Sequence, residues 1–327
     1  MTEASAASGV PSGARERRAG RGPSTVSIRV PATSANLGPA FDCAGLALAR
    51  YDVLEFTVAD TGLTIAVTGE GAHTLPDDET HLVVVAFRAA CAELGWSPPG
   101  LRVSAVNTIP QGRGMGSSAA AVVAGVLGAW ALCPDVEAVD RDAVLRLATE
   151  IEGHPDNVAA CLLGGATLSW MADDGARAER LEVHPDIAPV LLVPADTLAT
   201  HVARGLLPAV VPHGDAAVNA GRAALLVQAL TAAPHRLFEA TEDRLHQGHR
   251  AAAMPQSLEL MGRLRAAGFA AVVSGAGPSL LVLTRRSAGD AAAEVAAATG
   301  PGWIVLPLEV DEAGASVLAE GPPVSSR

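Results

Sequence analysis

The stretch that decides the fold is Pro110–Ala120, PQGRGMGSSAA. Its glycines stand at alternate positions, Gly112, Gly114 and Gly116, and two serines follow them. Glycines at this spacing weaken a helix or a strand, because each costs backbone entropy and adds no side chain to the packing. They do allow tight turns and a close approach of successive backbone N–H groups to a ligand. The stretch therefore predicts a loop that binds a ligand along its backbone.

A small, apolar segment follows the glycines and predicts a buried helix over Ala119–Cys133. Ser117 and Ser118 supply hydroxyl groups at the start of this helix. A glycine loop that opens a helix N-terminus is typical of an anion site, and the usual anion is a phosphate. The spacing fits neither the G-x-G-x-x-G dinucleotide fingerprint nor the G-x-x-x-x-G-K-[ST] loop. A plain turn between strand and helix is the alternative, but it requires fewer glycines and serines.

The composition is that of a globular protein with room for two domains. The chain has 327 residues, of which 49% are hydrophobic and 18% charged. A formal net charge of −12 and an aromatic content of 3% argue against a nucleic-acid partner. The four cysteines lack zinc-type spacing and are predicted to be free thiols in a reducing cytoplasm.

Neither a membrane segment nor a leader peptide is predicted. The longest apolar run is shorter than the roughly 20 residues that span a bilayer. Residues 1–24 are rich in Ala, Ser, Gly and Arg and lack the apolar segment of a signal peptide. We interpret them as a disordered tail on a cytoplasmic protein.

Hydrophobic patterns on both sides of the glycine loop predict mixed helices and strands. Thr25–Val30 is predicted to be a strand, and Pro31–Asp42 an irregular loop. Tyr51–Val58 and Leu63–Thr68 are predicted to form an antiparallel pair that turns at Gly62. Further helices are predicted over residues 81–94, 140–152, 215–230, 234–242 and 288–298, and further strands over 101–107, 164–170, 187–194, 269–273, 280–283 and 303–308.

Several stretches, in the same order along the chain, resemble motifs of the GHMP kinases, named for galacto-, homoserine, mevalonate and phosphomevalonate kinases. The glycine loop matches the family pattern P-x-x-x-G-L-G-S-S-A-A except for Met115. Residues 31–42, PATSANLGPAFD, and residues 153–159, GHPDNVA, are similar to the homoserine kinase branch, although Ala40 replaces a family glycine. Residues 274–279, SGAGPS, resemble the third family motif.

The resemblance implies an α+β fold of two domains, over residues 25–175 and 180–327. Each half would be a mostly antiparallel sheet layered with helices, with the active site in the cleft between them. ATP would lie against Pro110, Gln111, Gly112, Arg113, Gly114, Met115, Gly116, Ser117, Ser118, Ala119 and Ala120. Mg²⁺ would be held by Ser118 and Glu150, with Glu152 as the alternative, because the family varies in length there.

The substrate implied by the resemblance is L-homoserine, whose side-chain hydroxyl would take the γ-phosphoryl group of ATP to give O-phospho-L-homoserine in threonine biosynthesis. Substrate contacts are expected from Asn36, Asp42, His154, Asp156, Arg204, Arg250, Gly275 and Gly277. Arg204 is preferred for the carboxylate, since an Arg fork binds a carboxylate with two hydrogen bonds, but Arg244 and Arg250 stay open.

The catalytic residues implied are Asn36, Ser118, Glu150, His154 and Asn157. Mevalonate-type relatives have a carboxylate base near this point, whereas the matching residue here is Asn157. The resemblance thus implies catalysis without a protein base. Two alternatives are another GHMP kinase of mevalonate or sugar type, and a ligand sensor without turnover on the same fold. Whether the chain forms a homodimer is left open.

Overall fold

The computed structural model describes residues 23–318, so the predicted disordered tail, residues 1–24, lies almost entirely outside the described residues. The strands are β1 (Thr25–Ala35), β2 (Ala44–Ala59), β3 (Gly62–Gly69), β4 (Gly100–Asn107), β5 (Ala166–Ala172), β6 (Gly175–Leu181), β7 (Ile187–Pro194), β8 (Ala270–Val273), β9 (Leu280–Arg285), β10 (Trp303–Pro307) and β11 (Ser316–Leu318). The helices are α1 (Leu82–Glu93), α2 (Ser117–Leu132), α3 (Arg141–Glu152), α4 (Asp156–Leu163), α5 (Thr200–Gly205), α6 (His213–Thr231), α7 (Leu237–Ala240), α8 (Pro255–Ala266) and α9 (Ala291–Thr299).

The strands form two sheets, which confirms the predicted α+β class. The first has the order β11-β1-β2-β4-β3, with β5 pairing with β2 and β6 at one end of β2. The second has the order β10-β7-β9-β8 and is antiparallel throughout. A large apolar core joins the helices α1 to α4 to the first sheet and reaches one face of the second. A smaller core lies on the other face of the second sheet, beneath α8 and α9.

The predicted antiparallel pairing of β2 with β3 is wrong. Strand β4 lies between them, antiparallel to β2 and parallel to β3. Helix α1 makes this possible, because it provides the long crossover that parallel neighbours need. The short link before β3 crosses the end of β4 so closely that a Cβ on Gly100 would lie 2.5 Å from the carbonyl carbon of Thr61. The link resembles a hairpin turn in sequence. The two strands that it joins are nevertheless separated in the sheet by β4, which comes later in the chain.

The predicted loop over residues 31–42 is also half wrong, because β1 continues through it to Ala35 with a register shift after Pro31. Irregular backbone is confined to the segment that follows. There Asn36, Leu37 and Asp42 have positive φ angles, which are uncommon for residues with a side chain. Ala40 is not among them, so the replacement of the family glycine causes no strain.

The strands of the two sheets are not divided along the chain at the predicted domain boundary. The domain bounds themselves stay a prediction. Strand β6, on the boundary near residues 175–180, belongs to the first sheet, and β11 returns from the end of the chain to pair with β1. Five elements were not predicted: β6, β11, α4, α5 and α8. Within residues 23–318 the structure has no helix both long and apolar enough to cross a membrane.

The two glycine loops, from different halves of the sequence, meet at the edge of both sheets. Ser274 Oγ donates to the carbonyl oxygen of Gly114 at 2.6 Å and lies within hydrogen-bond distance of Ser34 Oγ, at 2.8 Å. Gly275 N donates to Ala35 O at 3.1 Å. The ends of β1 and α2 are thereby joined to the second sheet, and a cleft opens along the junction.

Gly114→Ala is expected to destabilise the fold by about 1–3 kcal/mol more than Gly112→Ala. Both glycines have positive φ, so either alanine strains the backbone. A Cβ on Gly114 would also lie 2.1 Å from Ser274 O, whereas the nearest atom to a Cβ on Gly112 is 3.4 Å away. Urea unfolding of both variants measures the difference. Equal losses would show that the contact between the two loops is not tight.

Candidate active site

The phosphate-loop candidate, residues 110–120, leads into α2 as predicted. Gly116, with a φ of 67°, is the N-cap residue, and α2 begins at Ser117 without a side-chain cap. The unpaired N–H groups of the first turn therefore point out of the helix towards the cleft. Met115 is buried, and its carbonyl oxygen accepts a hydrogen bond from Thr33 N at 3.0 Å. The loop is thus fixed on its inner side and open on its outer side, as an anion site requires.

One carboxylate lies at this helix start, and it belongs to Glu152. Ser118 Oγ donates to Glu152 Oε2 at 2.6 Å, and both residues line the cleft. Burial raises the pKa of Glu152, while the hydrogen bond from Ser118 opposes the change. Glu150, the predicted ligand, is exposed and does not line the cleft. Residues two apart on a helix face different sides, so α3 presents only one of the two glutamates to the loop.

Beyond Glu152, a buried polar group follows the end of α3. His154 Nδ1 lies 2.8 Å from Asp156 Oδ1, which also accepts from Asn157 N at 2.7 Å. Burial disfavours the charged form of His154, but the hydrogen bond and charge of Asp156 outweigh it and raise the pKa of the imidazole. Asn157 Oδ1 accepts from Thr33 Oγ1 at 2.7 Å. Asn157 is therefore oriented by β1, a link that the sequence analysis missed because Thr33 was assigned to a loop.

Two arginines face this group across the cleft. Arg204 makes two hydrogen bonds with the carboxylate of Asp42, at 2.9 and 2.6 Å. Arg250 is 1% exposed; its Nη1 donates to Gly275 O at 3.1 Å, and its Nε has no partner among the described residues. Both guanidinium groups lie over the ring of Phe41, at 5.5 and 5.3 Å. Burial, together with the nearby Arg204 cation, lowers the pKa of Arg250. An arginine this buried and without an acidic partner favours an anion as its ligand.

Most of the predicted residues meet in this cleft. Those that line it are Asn36, Gly112, Gly114, Met115, Gly116, Ser117, Ser118, His154, Asp156, Asn157, Arg204, Arg250, Gly275 and Gly277. Asp42 reaches it through Arg204 and through its backbone N–H, which donates to Asn36 Oδ1 at 2.9 Å. Leu198, Thr200 and Ala276 also line the cleft but were not predicted.

The remaining predicted loop residues serve other contacts. Arg113 donates to the carbonyl oxygens of Pro194 and Ala195, which fastens the loop to the end of β7. Ala119 and Ala120 are buried in α2, and Pro110 is buried before the loop. Arg244 pairs with Glu242 and Asp215 at the surface.

A second cavity opens beside the loop, between β2, β4 and the first turns of α1 and α2. It is largely apolar, with Leu54, Val83 and Ala105 among its buried lining and Leu75 at its edge. Ser117 and Ser118 line both this cavity and the cleft, and Gln111 lines this cavity alone. This cavity was not predicted, because its walls come from four separate elements and β2 was expected to pair with β3, whereas it pairs with β4.

Comparison with known families agrees with this geometry. Residues 81–165 match the GHMP kinases N terminal domain, and residues 217–302 match the GHMP kinases C terminal domain. The chain belongs to the GHMP kinase family. In this GHMP kinase the two matched regions carry the phosphate loop and the second glycine loop, respectively.

Relatives of this GHMP kinase, both in sequence and in structure, are named as homoserine kinases. It is 55% identical over 294 residues to the homoserine kinase of Streptomyces avermitilis, covering 90% of this chain and 95% of that protein. It is 56% identical over 294 residues to that of Streptomyces coelicolor, covering 90% and 94%. Among solved structures, the homoserine kinase of Cytophaga hutchinsonii is 26% identical with a TM-score of 0.79, covering 90% of this chain and 98% of that one. A putative homoserine kinase from Listeria monocytogenes is 30% identical with a TM-score of 0.72, covering 90% and 100%.

Proposed function

We propose that this protein transfers the γ-phosphoryl group of ATP to the side-chain hydroxyl of L-homoserine, giving O-phospho-L-homoserine for threonine biosynthesis. The observation that carries the proposal is the pairing, across one cleft, of an open phosphate loop with two arginines and two aspartates. High identity to curated homoserine kinases supports the choice of substrate. The four cysteines are free thiols in the structure, which suits a cytoplasmic enzyme.

ATP fits the two adjoining cavities. The triphosphate is a strong anion and suits the loop N–H groups between Gly112 and Ser118. The nucleoside is mostly apolar and suits the second cavity, which opens beside Ser117 and Ser118. Nucleotides extend from base to γ-phosphate in one direction, so this arrangement directs the γ-phosphate into the cleft.

The residues at the loop fit Mg²⁺ as a partner of ATP. The described residues contain no cluster of three or more carboxylate, His or Cys ligands. Mg²⁺ bound to a nucleotide needs few protein ligands, because phosphates and water complete its coordination. The hydroxyl of Ser118 and the carboxylate of Glu152, both oxygen donors at the helix start, would hold it there. The ion would neutralise charge on the β- and γ-phosphates. We therefore replace Glu150 with Glu152 in the proposed ligand set.

Homoserine fits the charged end of the cleft, because it carries an ammonium and a carboxylate on one carbon. Asp42 and Arg204 already form an ion pair there, which a zwitterion can open by pairing with both partners. The ammonium would bind to Asp42, and the carboxylate to the arginines, with Arg250 supplying the unpartnered donor. The side-chain hydroxyl would then extend towards Asn36, His154 and the phosphate loop.

The chemistry needs no protein base. Phosphoryl transfer has a loose transition state, so alignment of the hydroxyl with the γ-phosphate and neutralisation of charge supply most of the acceleration. Asn157 is an amide and cannot take a proton, and its oxygen is occupied by Thr33. The hydroxyl proton would leave to the phosphate or to solvent.

His154→Gln is expected to lower kcat/KM for homoserine by less than about 100-fold, with much of the loss in KM. The reason is that His154, held by Asp156, orients the substrate in this proposal and does not remove its proton. A general base would instead cost about 10²–10⁴-fold, and the loss would fall on kcat. Steady-state kinetics with homoserine varied at saturating ATP separates the two outcomes.

A coupled assay of ADP release tests the proposed function against its alternatives. Homoserine is expected to be phosphorylated efficiently, and serine and mevalonate poorly. Turnover with mevalonate or a sugar in place of homoserine would favour another GHMP kinase. Tight homoserine binding without ADP release would favour a sensor.

A further inference from the structure

The cavity beside the phosphate loop has one carboxylate in its lining, that of Asp52. Asp52 lies on the core side of β2, is 7% exposed, and is followed along the strand by buried Leu54. Its Oδ1 accepts hydrogen bonds from Thr108 N at 2.6 Å and Ile109 N at 2.9 Å. Asp52 therefore braces the chain where it enters the phosphate loop.

The second carboxylate oxygen has a different environment. Oδ2 accepts no hydrogen bond from any of the described residues. It is also not fully buried, so it remains accessible to a ligand. Since Asp52 lines the cavity, Oδ2 is the atom left to face it. The other buried residues of the cavity are apolar except for His81. A nearly buried carboxylate oxygen in such surroundings favours a ligand that brings a hydrogen-bond donor.

We propose that Asp52 determines the nucleobase preference: Oδ2 accepts a hydrogen bond from the amino group at C6 of adenine and thereby selects ATP over nucleotides with a carbonyl oxygen at C6. This inference rests on the proposed function, which places a nucleoside in the cavity. A carbonyl oxygen there would place lone pairs against a desolvated carboxylate and leave Oδ2 unpaired. Sites that hydrogen-bond an N–H group discriminate strongly against analogues without it.

The base suits this position better than the ribose. The floor of the cavity is formed by residues that are at least 90% buried, including Leu54, Val83 and Ala105, while Gln111 and Ser117 at the loop are more exposed. A planar apolar ring occupies such a floor at low desolvation cost, whereas a ribose with its hydroxyls would strand polar groups there. The ribose then lies between the base and the triphosphate, near the loop.

The charged and titratable groups around Asp52 make the preference depend on pH. Burial raises the pKa of Asp52 to about 6, opposed by the two backbone N–H groups and by Arg50, and aided by Glu70. His81, the N-cap residue of α1, accepts a hydrogen bond from Val83 N, and burial lowers the pKa of its imidazole, so it stays neutral near pH 7. From α4, Cys161 has a pKa raised by burial and also stays neutral. Below about pH 6 the carboxyl of Asp52 gains a proton, can donate to a carbonyl, and loses its preference for the amino group.

Asp52→Asn tests the proposal with little change in shape. The two backbone N–H groups retain the amide oxygen, so the NH₂ group turns towards the cavity and exchanges an acceptor for a donor. Calorimetry gives the dissociation constants of ATP and of inosine 5′-triphosphate, which has a carbonyl at C6. The ratio of the two constants is expected to shift by about 10- to 100-fold towards the inosine nucleotide. At pH 8, where Asp52 is ionised with or without its neighbour, Glu70→Gln removes a nearby charge outside the cavity and is expected to leave the ratio unchanged.

The wild-type protein supplies a second measurement that does not depend on the variant folding. Between pH 8 and pH 5 its preference for ATP over inosine triphosphate is expected to fall, and the shared triphosphate cancels from the ratio. An unchanged ratio in Asp52→Asn, or a flat wild-type profile, would overturn the proposal and leave Asp52 as a brace for the loop. A change confined to the ratio of ATP to 2′-deoxy-ATP would also overturn it, because the contact would then be to the ribose. Binding is measured without homoserine, so a failure to phosphorylate homoserine is a separate result.

Discussion

Glu152→Gln is expected to lower kcat by about 100- to 1,000-fold, the loss that follows removal of one group that stabilises transition-state charge. Glu152 accepts a hydrogen bond from Ser118 at the start of α2, where the β- and γ-phosphates would lie. The glutamine keeps the size of the side chain but removes the negative charge that would hold Mg²⁺. Homoserine affinity is expected to stay near normal, because the arginines and Asp42 are untouched.

The matched control is Glu150→Gln, which makes the same change two residues away on an exposed face of α3. Its kcat is expected to stay within about twofold of wild type, since surface substitutions of this kind have small effects. Mg²⁺ titrations of both variants, at saturating ATP and homoserine, separate a weakened metal site from a general loss of structure. Ser118→Ala is expected to raise the Mg²⁺ requirement in the same direction. A severe loss in Glu150→Gln alongside a mild one in Glu152→Gln would restore the ligand set implied by the sequence.

Local sequence signals predicted the glycine loop and the elements next to it. Three positive-φ glycines and the apolar run after them are consequences of neighbouring residues, and the loop-to-helix junction at Gly116 follows from them directly. Asp140 as the N-cap of α3 and Gly153 at its end are local in the same sense. Such features depend on backbone preference, which single residues carry.

Features that depend on distant pairing could not be predicted in this way. The insertion of β4 between β2 and β3 is decided by long-range hydrogen bonding, and the short link at Thr61 carries no sign of it. The choice between Glu150 and Glu152 depends on the rotation of α3 about its axis, which the packing of α3 against α2 and α4 sets. The contacts of Thr33 with Asn157 span 124 residues of sequence. The cavity that holds Asp52 likewise exists only once the first sheet is correctly ordered.

Binding of the homoserine carboxylate is expected to depend most on Arg250, although the sequence favoured Arg204. In the structure, Arg204 forms an ion pair with Asp42, whereas Arg250 is buried in the cleft without an ion-pair partner among the described residues. Truncating one partner of a buried charge pair costs roughly 2–5 kcal/mol, or about 30- to several-thousand-fold. Arg250→Met is therefore expected to lower kcat/KM for homoserine within that range.

The discriminating substrate is 3-amino-1-propanol, which keeps the hydroxyl and the ammonium of homoserine but lacks its carboxylate. The turnover of 3-amino-1-propanol is expected to be poor already in the wild type. Arg250→Met is expected to leave it nearly unchanged, because this substrate has no carboxylate for Arg250 to bind. Arg204→Ala is expected to impair both substrates, since Asp42 loses the partner that holds it in place for the ammonium. If Arg204→Ala affects homoserine alone while Arg250→Met affects both substrates, Arg204 binds the carboxylate as the sequence implied.

Two further variants separate binding from folding. Arg250→Lys keeps the charge but not the planar pair of donors that fixes both the position and the rotation of a carboxylate, so it is expected to recover little activity. Arg265→Met removes an arginine that donates to Thr241 and Ala271 outside the cleft, and it measures the purely structural cost of such a loss. ATP affinity should remain near normal in all four variants, because none of these side chains lies in the phosphate loop. The orientation of bound homoserine matters for the reaction itself. Its hydroxyl lies two methylenes from Cα, so a small tilt at the carboxylate moves the hydroxyl out of line with the γ-phosphate.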